Sequence, residues 1–188
     1  MSVPIELHKA FMPINPTEFE ELWDVWNHID YTPNPLNKNL NIKRKQCTFG
    51  KDSYKFAGQV SEPYKGELPS VIKKIFKLFE HDTSYSVIHA NFYPDGTAGL
   101  QPHSDNEKQM NADKNIYSYT FLSEPGNPRG FQIYDLNDNM IEEHMLDHGD
   151  LLVMLGGMQK EYKHGVKKSM AKKYKNLRRI NLTVRSWK

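Results

Sequence analysis

The sequence is poor in the features that would fix its class cheaply. It has a single cysteine, Cys47, so no intrachain disulfide can form and the fold rests on its core. Such cysteine usage suits a reducing compartment. No apolar run approaches the roughly 20 residues needed to span a bilayer. The start, Met1-Ser2-Val3-Pro4-Ile5-Glu6, has neither the basic opening nor the apolar stretch of a secretion signal. These absences lead to the expectation of a soluble intracellular protein, cytoplasmic or nuclear, with no membrane partner. Repeats and low-complexity segments are also missing, and 188 residues suffice for one compact domain but hardly for two. A monomeric single domain over residues 1–188 is expected.

Net charge is nearly absent at +2, so the overall balance says little about partners. The distribution says more. Met1 to Asp30 carries six acidic residues and one Lys, whereas Gln159 to Lys188 carries eleven Lys and Arg and one acid, Glu161. A second basic stretch holds Lys38, Lys43, Arg44, Lys45, Lys51 and Lys55, with only Asp52 against it. Clustered Lys and Arg are either a solvated surface or the footprint of a polyanion.

Helical signals are confined to the first half. Asn15-Pro16-Thr17 opens a helix in which Thr17 and Glu20 fit a capping box and Phe19, Leu22, Trp23 and Trp26 form an apolar face. Tyr31 to Asn41, with Pro33, Pro35 and several Asn, reads as a loop. A second helix begins near Pro69, with Ile72, Ile75, Phe76 and Phe79 on one side. After about Tyr85 the apolar period changes to two. Strands are expected at 86–93, 116–122, 130–136, 150–155 and 179–187, separated by turn sequences such as Pro94-Asp95-Gly96 and Pro125-Gly126-Asn127-Pro128. Helices followed by many short strands give an α+β chain: a sheet pair or barrel with helices on its outside.

The last strand sorts into two faces. Ile180, Leu182 and Val184 point one way, and Arg179, Asn181, Thr183 and Arg185 the other. Such a pattern fits an edge strand with a wet face. It also fits a strand whose two Arg, about 20 Å apart along the chain, grip something anionic. The 86–93 strand similarly places His89, Asn91 and Tyr93 on one side.

His103-Ser104-Asp105 puts an imidazole and a carboxylate on one face of an extended segment, able to reach one ion. An His-x-Asp pair alone is weak evidence. Two His and one carboxylate on one side of an octahedral ion make the facial arrangement of non-haem Fe(II) oxygenases, and His164, after the 150–155 strand, is available as the third ligand. His8, His28, His81, His144 and His148 sit beside charged residues or at element ends and are read as non-ligands. His89 is a candidate for a place behind the ligands.

At this point the sequence resembles the AlkB family of 2-oxoglutarate dioxygenases, particularly its animal DNA- and RNA-repair members. Asn91-Phe92-Tyr93, then Asp95-Gly96, then His103-Ser104-Asp105-Asn106-Glu107 resembles the family's Asn-x-Tyr … Gly … His-x-Asp-x-Asp/Glu run. His164 matches its distal ligand, and residues 179–185 fit Arg-x-Asn-x-Thr-x-Arg at every specified position. Arg44 to Gly50 and Tyr54 to Gly58 resemble the nucleotide-recognition lid, and the likeness spans roughly residues 40–188.

The resemblance implies a double-stranded β-helix (jelly-roll) core at about 85–188, with a helical extension and the lid at about 1–84. It implies Fe(II) on His103, Asp105 and His164, with 2-oxoglutarate and O2 as cosubstrates. Arg179 would pair with the distal carboxylate of 2-oxoglutarate, Tyr93 would donate to it, Asn91 and Arg185 would lie near its metal-bound end, and Asn181 and Thr183 would line the pocket. Glu107 would accept from a base edge, Phe56 and Phe49 would stack a flipped base, and Lys43, Arg44 and Lys45 would meet phosphates. The implied reaction removes an N-methyl group from a nucleobase as formaldehyde while 2-oxoglutarate becomes succinate. The sequence departs from duplex-repair members, which carry an aromatic wedge before the lid. Residues 34–41 contain no aromatic, which favours single-stranded DNA or RNA. The basic insertion at 167–176 has no assigned role. The alternatives are a hydroxylase of protein side chains or small molecules, and a non-enzymatic nucleic-acid-binding module.

Overall fold

The structure is a computed structural model that describes residues 2–34, 37–50, 54–56 and 59–188, without the side chains of 38, 39, 54–56 and 59. Its strands are β1 (Ile5–His8), β2 (Tyr31–Asn34), β3 (Asn37–Phe49), β4 (Tyr54–Phe56), β5 (Gln59–Ser61), β6 (Val87–Tyr93), β7 (Leu100–His103), β8 (Ile116–Leu122), β9 (Arg129–Tyr134), β10 (Met140–Leu146), β11 (Leu151–Met154), β12 (Lys163–Val166) and β13 (Arg179–Arg185). Its two main helices are α1 (Pro16–Asp24) and α2 (Ser70–Leu78). Two antiparallel sheets carry the fold: β1-β11-β8-β13-β6-β3-β2, and β10-β9-β12-β7. The order interleaves strands distant in sequence, which is the jelly-roll arrangement. β4 and β5 make a separate small hairpin. No helix among the described residues is long and apolar enough to cross a membrane.

β13 explains the layering. It is a central strand, paired along its length with β6 and β8, and all seven of its residues are buried. Ile180, Leu182 and Val184 join Ile88, Ala90, Phe92 and Phe121 in an apolar layer covered by Phe19 and Leu22 of α1 and Val71, Ile72 and Ile75 of α2. The opposite, polar face of β13 therefore turns into the space between the sheets. A second apolar cluster, including Phe131, Ile133, Leu146, Leu152, Met154 and Met158, closes another part of that space.

The helices seat firmly on the outer face. Asn15 caps α1 reciprocally with Glu18 (Glu18 N–H to Asn15 Oδ1 at 3.0 Å, Asn15 N–H to Glu18 Oε2 at 3.0 Å), and Pro16 follows at the first helical position. The capping box thus sits two residues before the expected Thr17 and Glu20, because Asn competes well for the cap and Pro fits only after it. α2 starts one residue after Pro69, as the sequence suggests. Leu22 is 0 % exposed at the helix–sheet contact. Leu22→Ala is expected to lower stability by roughly 2–5 kcal/mol, read as a shift in the denaturant midpoint with metal binding at the polar side retained.

Two expectations are corrected. Tyr31 to Asn41 is a hairpin of β2 and β3, with residues 35 and 36 outside the described residues, rather than a loop. β2 is the edge strand, where Pro33 costs no ladder bond that matters. β1 and β3, both from the stretch expected to be extension and lid, pair into the larger sheet with β11 and β6. Beyond β3 in the chain comes the β4–β5 hairpin; residues 51–53 and 57–58 are outside the described residues.

Candidate active site

The short pair β7–β12 builds the metal cluster. His103 and His164 stand directly opposite each other in the register, with ring centroids 4.3 Å apart. Asp105 follows two residues after His103 and is 1 % exposed. Its backbone N–H donates to Gln159 Oε1 at 2.9 Å, and Ser104 Oγ donates to Tyr162 O at 2.9 Å, so the turn carrying the carboxylate is fixed on both sides. One potential ligand atom from each of His103, Asp105 and His164 lies within 4.8 Å of the others. Asp105 Oδ1 is 3.5 Å from His103 Nε2, and Oδ2 is 3.8 Å from His164 Nε2. His103 Nδ1 is 2.9 Å from Gln101 O, a contact that turns Nε2 toward the cluster. Phe131 stacks on His164 at 5.4 Å and 17°.

The electrostatics suit a divalent cation. Burial, and then His103, drop the His164 pKa to about 3, which leaves its imidazole neutral with a lone pair to donate. Burial would raise the Asp105 pKa, but Arg185, with Nη2 at 2.8 Å from Oδ2, and the two imidazoles hold it well below the carboxylate range. Two imidazoles and one carboxylate gathered on one side match the donor set for Fe(II). Iron would be held by His103, Asp105 and His164.

Beside the cluster runs a polar wall made by strand register. Across β13 and β6 the pairs are Arg179–Tyr93, Asn181–Asn91 and Thr183–His89; across β13 and β8 they include Asn181–Thr120 and Thr183–Ser118. Asn181 Nδ2 donates to Ser118 Oγ and Tyr119 O, both at 2.9 Å, and Thr183 Oγ1 donates to His89 O at 3.2 Å. Asn91, Asn181, Thr183, Arg185 and His89 line one cavity with the three metal residues. Arg179, 1 % exposed, lies at the far end of this face with its guanidinium 5.0 Å from the Tyr93 ring. Its Nη2 reaches Thr120 Oγ1 at 3.3 Å, while Nε and Nη1 meet no acceptor among the described residues. Burial draws its pKa down to about 10, so it stays cationic at neutral pH. A buried guanidinium with unused donors fits a carboxylate.

The expected substrate residues do not stay together. Consecutive strand residues face opposite ways, so Lys43, Arg44 and Lys45 cannot act as one patch. Arg44 points between the sheets, is 7 % exposed, and donates to Asn91 Oδ1 at 2.8 Å and to Gln46 Oε1. Lys45 turns to the helix side, where Nζ lies over the Trp26 and Tyr31 rings at 4.6 and 4.5 Å and donates to Trp26 O at 2.9 Å. It is not free for phosphate. Phe49, on the same outward face, is 0 % exposed in the core and edge-on to Tyr64, so it does not stack a base. Lys43 is exposed, with Nζ donating to Thr97 Oγ1 at 2.7 Å. Glu107 is half-buried just past Asp105. Phe56 belongs to β4, but its side chain lies outside the described residues.

Sequence reasoning missed Gln46, Gln159 and Phe131. The alternation 44, 46, 48 would have found Gln46; the other two arrive across the fold and left no local signal. The basic insertion packs against the turn after β6: Ser169 N–H donates to Gly96 O, Gly96 N–H to Tyr174 O, each at 2.8 Å. Lys43 bonds to the same turn through Thr97, so the two basic stretches meet there.

Comparison with known proteins agrees with this geometry. The family model described as the 2OG-Fe(II) oxygenase superfamily matches residues 21–185. Alpha-ketoglutarate-dependent dioxygenase alkB homolog 3 of Rattus norvegicus is 29% identical over 154 residues, covering 76% of this chain and 50% of that protein. The chain thus spans about half the length of this curated relative. Among solved structures, OsALKBH1 superposes with a TM-score of 0.61 at 18% identity, covering 99% of both chains. A prolyl hydroxylase from Trichoplax adhaerens superposes with a TM-score of 0.59 at 14% identity, covering 99% of this chain and 84% of the other. At these identities the structures support the shared jelly-roll fold.

Proposed function

Because the chain belongs to the 2OG-Fe(II) oxygenase superfamily, we propose that it oxidatively demethylates N-alkylated bases in nucleic acid, with single strands preferred. Iron held there would supply, with 2-oxoglutarate and O2, the oxidising power for the reaction, one oxygen atom of O2 going into succinate as CO2 leaves and the other onto the N-methyl carbon. The resulting N-hydroxymethyl base breaks its C–N bond, the nitrogen regains a proton, and formaldehyde departs. This chain's residues supply position. His103, Asp105 and His164 would hold the metal on one side, Arg185 keeps Asp105 ionised, and Arg179 would anchor the distal carboxylate of 2-oxoglutarate with Tyr93 beside it. Asn91, Asn181 and Thr183 give the wall between these ends its polar lining, and the sheets around it keep water out.

The observation that carries the nucleic-acid reading is the convergence of two basic stretches on the turn after β6. Lys43 bonds Thr97 there, and the insertion that bonds Gly96 exposes Lys167, Lys168, Lys172 and Lys173. The relatedness to the rat alkB homolog 3 and the missing aromatic in residues 34–41 support the reading and its single-strand preference.

A single-stranded oligonucleotide should therefore bind with a steep salt dependence, and Lys43→Glu combined with Lys168→Glu and Lys172→Glu should flatten it by about one phosphate contact per lysine. Fluorescence-anisotropy titrations across a salt series would measure this. Uncoupled 2-oxoglutarate turnover should persist in the variant. A slope unchanged by the three substitutions would reject this surface as the phosphate contact, and hydroxylation of a peptide in preference to any oligonucleotide would replace the substrate class.

A further inference from the structure

The pocket described above leaves Arg129 unused. This first residue of β9 is 2 % exposed. Its guanidinium donates to Asp95 O and Gly96 O at 3.3 Å, Ala98 O at 2.9 Å and Lys167 O at 2.8 Å. Those carbonyls belong to the turn that follows β6 and to the residue that follows β12. One side chain thus pins together the two segments next to Tyr93, the last residue of β6. The Arg129 guanidinium carbon lies 5.7 Å from the Tyr93 ring centroid, and the Arg179 carbon lies 5.0 Å from the same centroid.

Two buried cations therefore share one tyrosine ring. No carboxylate forms an ion pair with either among the described residues: Arg129 is held by backbone carbonyls and Arg179 touches Thr120. Asp95, whose charge acts on Arg129, has its Oδ1 taken by the Thr97 N–H at 2.7 Å and hydroxyl at 2.6 Å. Burying like charges near each other is unfavourable unless an anion joins them. In a low-dielectric interior a carboxylate on Arg179 would also feel Arg129 strongly. We propose that Arg129 is a positioning residue for the anionic tail of the cosubstrate, holding Tyr93 and the adjoining turn against Arg179 and adding a second positive charge to the corner that receives the distal carboxylate. This rests on Arg179 being the anchor of 2-oxoglutarate.

A purely mechanical staple and an electrostatic positioning residue differ in what they discriminate. The test compares binding of 2-oxoglutarate and 2-oxopentanoate, the same keto acid without the distal carboxylate, by calorimetric titration with Mn(II) in place of iron. Arg129→Gln keeps amide donors for the carbonyls but removes the charge; Arg129→Lys keeps a charge but loses the fork. Arg129→Gln should weaken 2-oxoglutarate at least tenfold while 2-oxopentanoate changes less than twofold. Arg129→Lys should fall between it and the wild type, and this variant carries the test if Arg129→Gln does not fold. Equal weakening of both keto acids, or of neither, would overturn the proposal and leave Arg129 a staple. Failure of the wild-type protein to bind 2-oxoglutarate better than 2-oxopentanoate would instead overturn the assignment of Arg179, and this proposal with it.

Discussion

His164→Ala should abolish 2-oxoglutarate turnover while the chain stays folded. The reason is arithmetic at the cluster: three side chains offer ligand atoms within 4.8 Å of one another, and each supplies one. Losing one leaves two ligands, too few to hold Fe(II) against water and chelators. His103→Ala should behave alike. Asp105→Asn should be worse for the fold, because Arg185 is 3 % exposed and its 2.8 Å contact to Asp105 Oδ2 would lose its counter-charge. Iron retained after desalting, circular dichroism and succinate formation separate these effects. Near-normal succinate formation by any of the three would mean that the ligand set is wrong.

Arg179→Met should separate function from stability. Wild-type Arg179 is buried with two donors unmet among the described residues, so without its ligand it carries an uncompensated desolvation cost. An apolar side chain of similar length should leave the ligand-free protein at least as heat-stable as the wild type. Binding of 2-oxoglutarate should weaken by about 2–5 kcal/mol, the range for removing one partner of a buried charge pair, and that is roughly thirtyfold or more. Arg179→Lys should recover little, since a point charge does not replace a planar fork. The checks are melting temperature with and without 2-oxoglutarate and the Michaelis constant for it. A destabilised ligand-free variant with an unchanged constant would show that Arg179 is a structural residue.

Much of this site is legible in the sequence because its wall lies on long, regular strands. The alternation of Arg179, Asn181, Thr183 and Arg185 with Ile180, Leu182 and Val184 gives both faces of β13, and only the meaning of the polar face needs the fold. Taken alone that face suggests water, yet β13 is central and the polar residues face inward. The AlkB-like motifs tip the reading correctly. Residues 43–45 fail for the complementary reason: a run of three basic residues looks like a patch on paper, but strand pleating sends Arg44 into the cavity and Lys45 onto Trp26 and Tyr31. Phe49 follows the same parity into the core. β7 and β12, only four residues each, are too short to show a period, although they carry His103 and His164. Arg129 leaves no sequence signal, because the carbonyls it binds come from residues 31 to 38 positions away.

The most direct test of the account is a stoichiometric one. The protein is incubated with Fe(II), 2-oxoglutarate and a single-stranded oligonucleotide bearing one N-methylated base, and succinate, formaldehyde and restored base are counted together by mass spectrometry and a formaldehyde assay. The account predicts that the three rise in equal amounts, that the same lesion in duplex reacts more slowly, and that His164→Ala abolishes all three. Succinate produced at the same rate with and without the oligonucleotide, with no formaldehyde and no restored base, would contradict it.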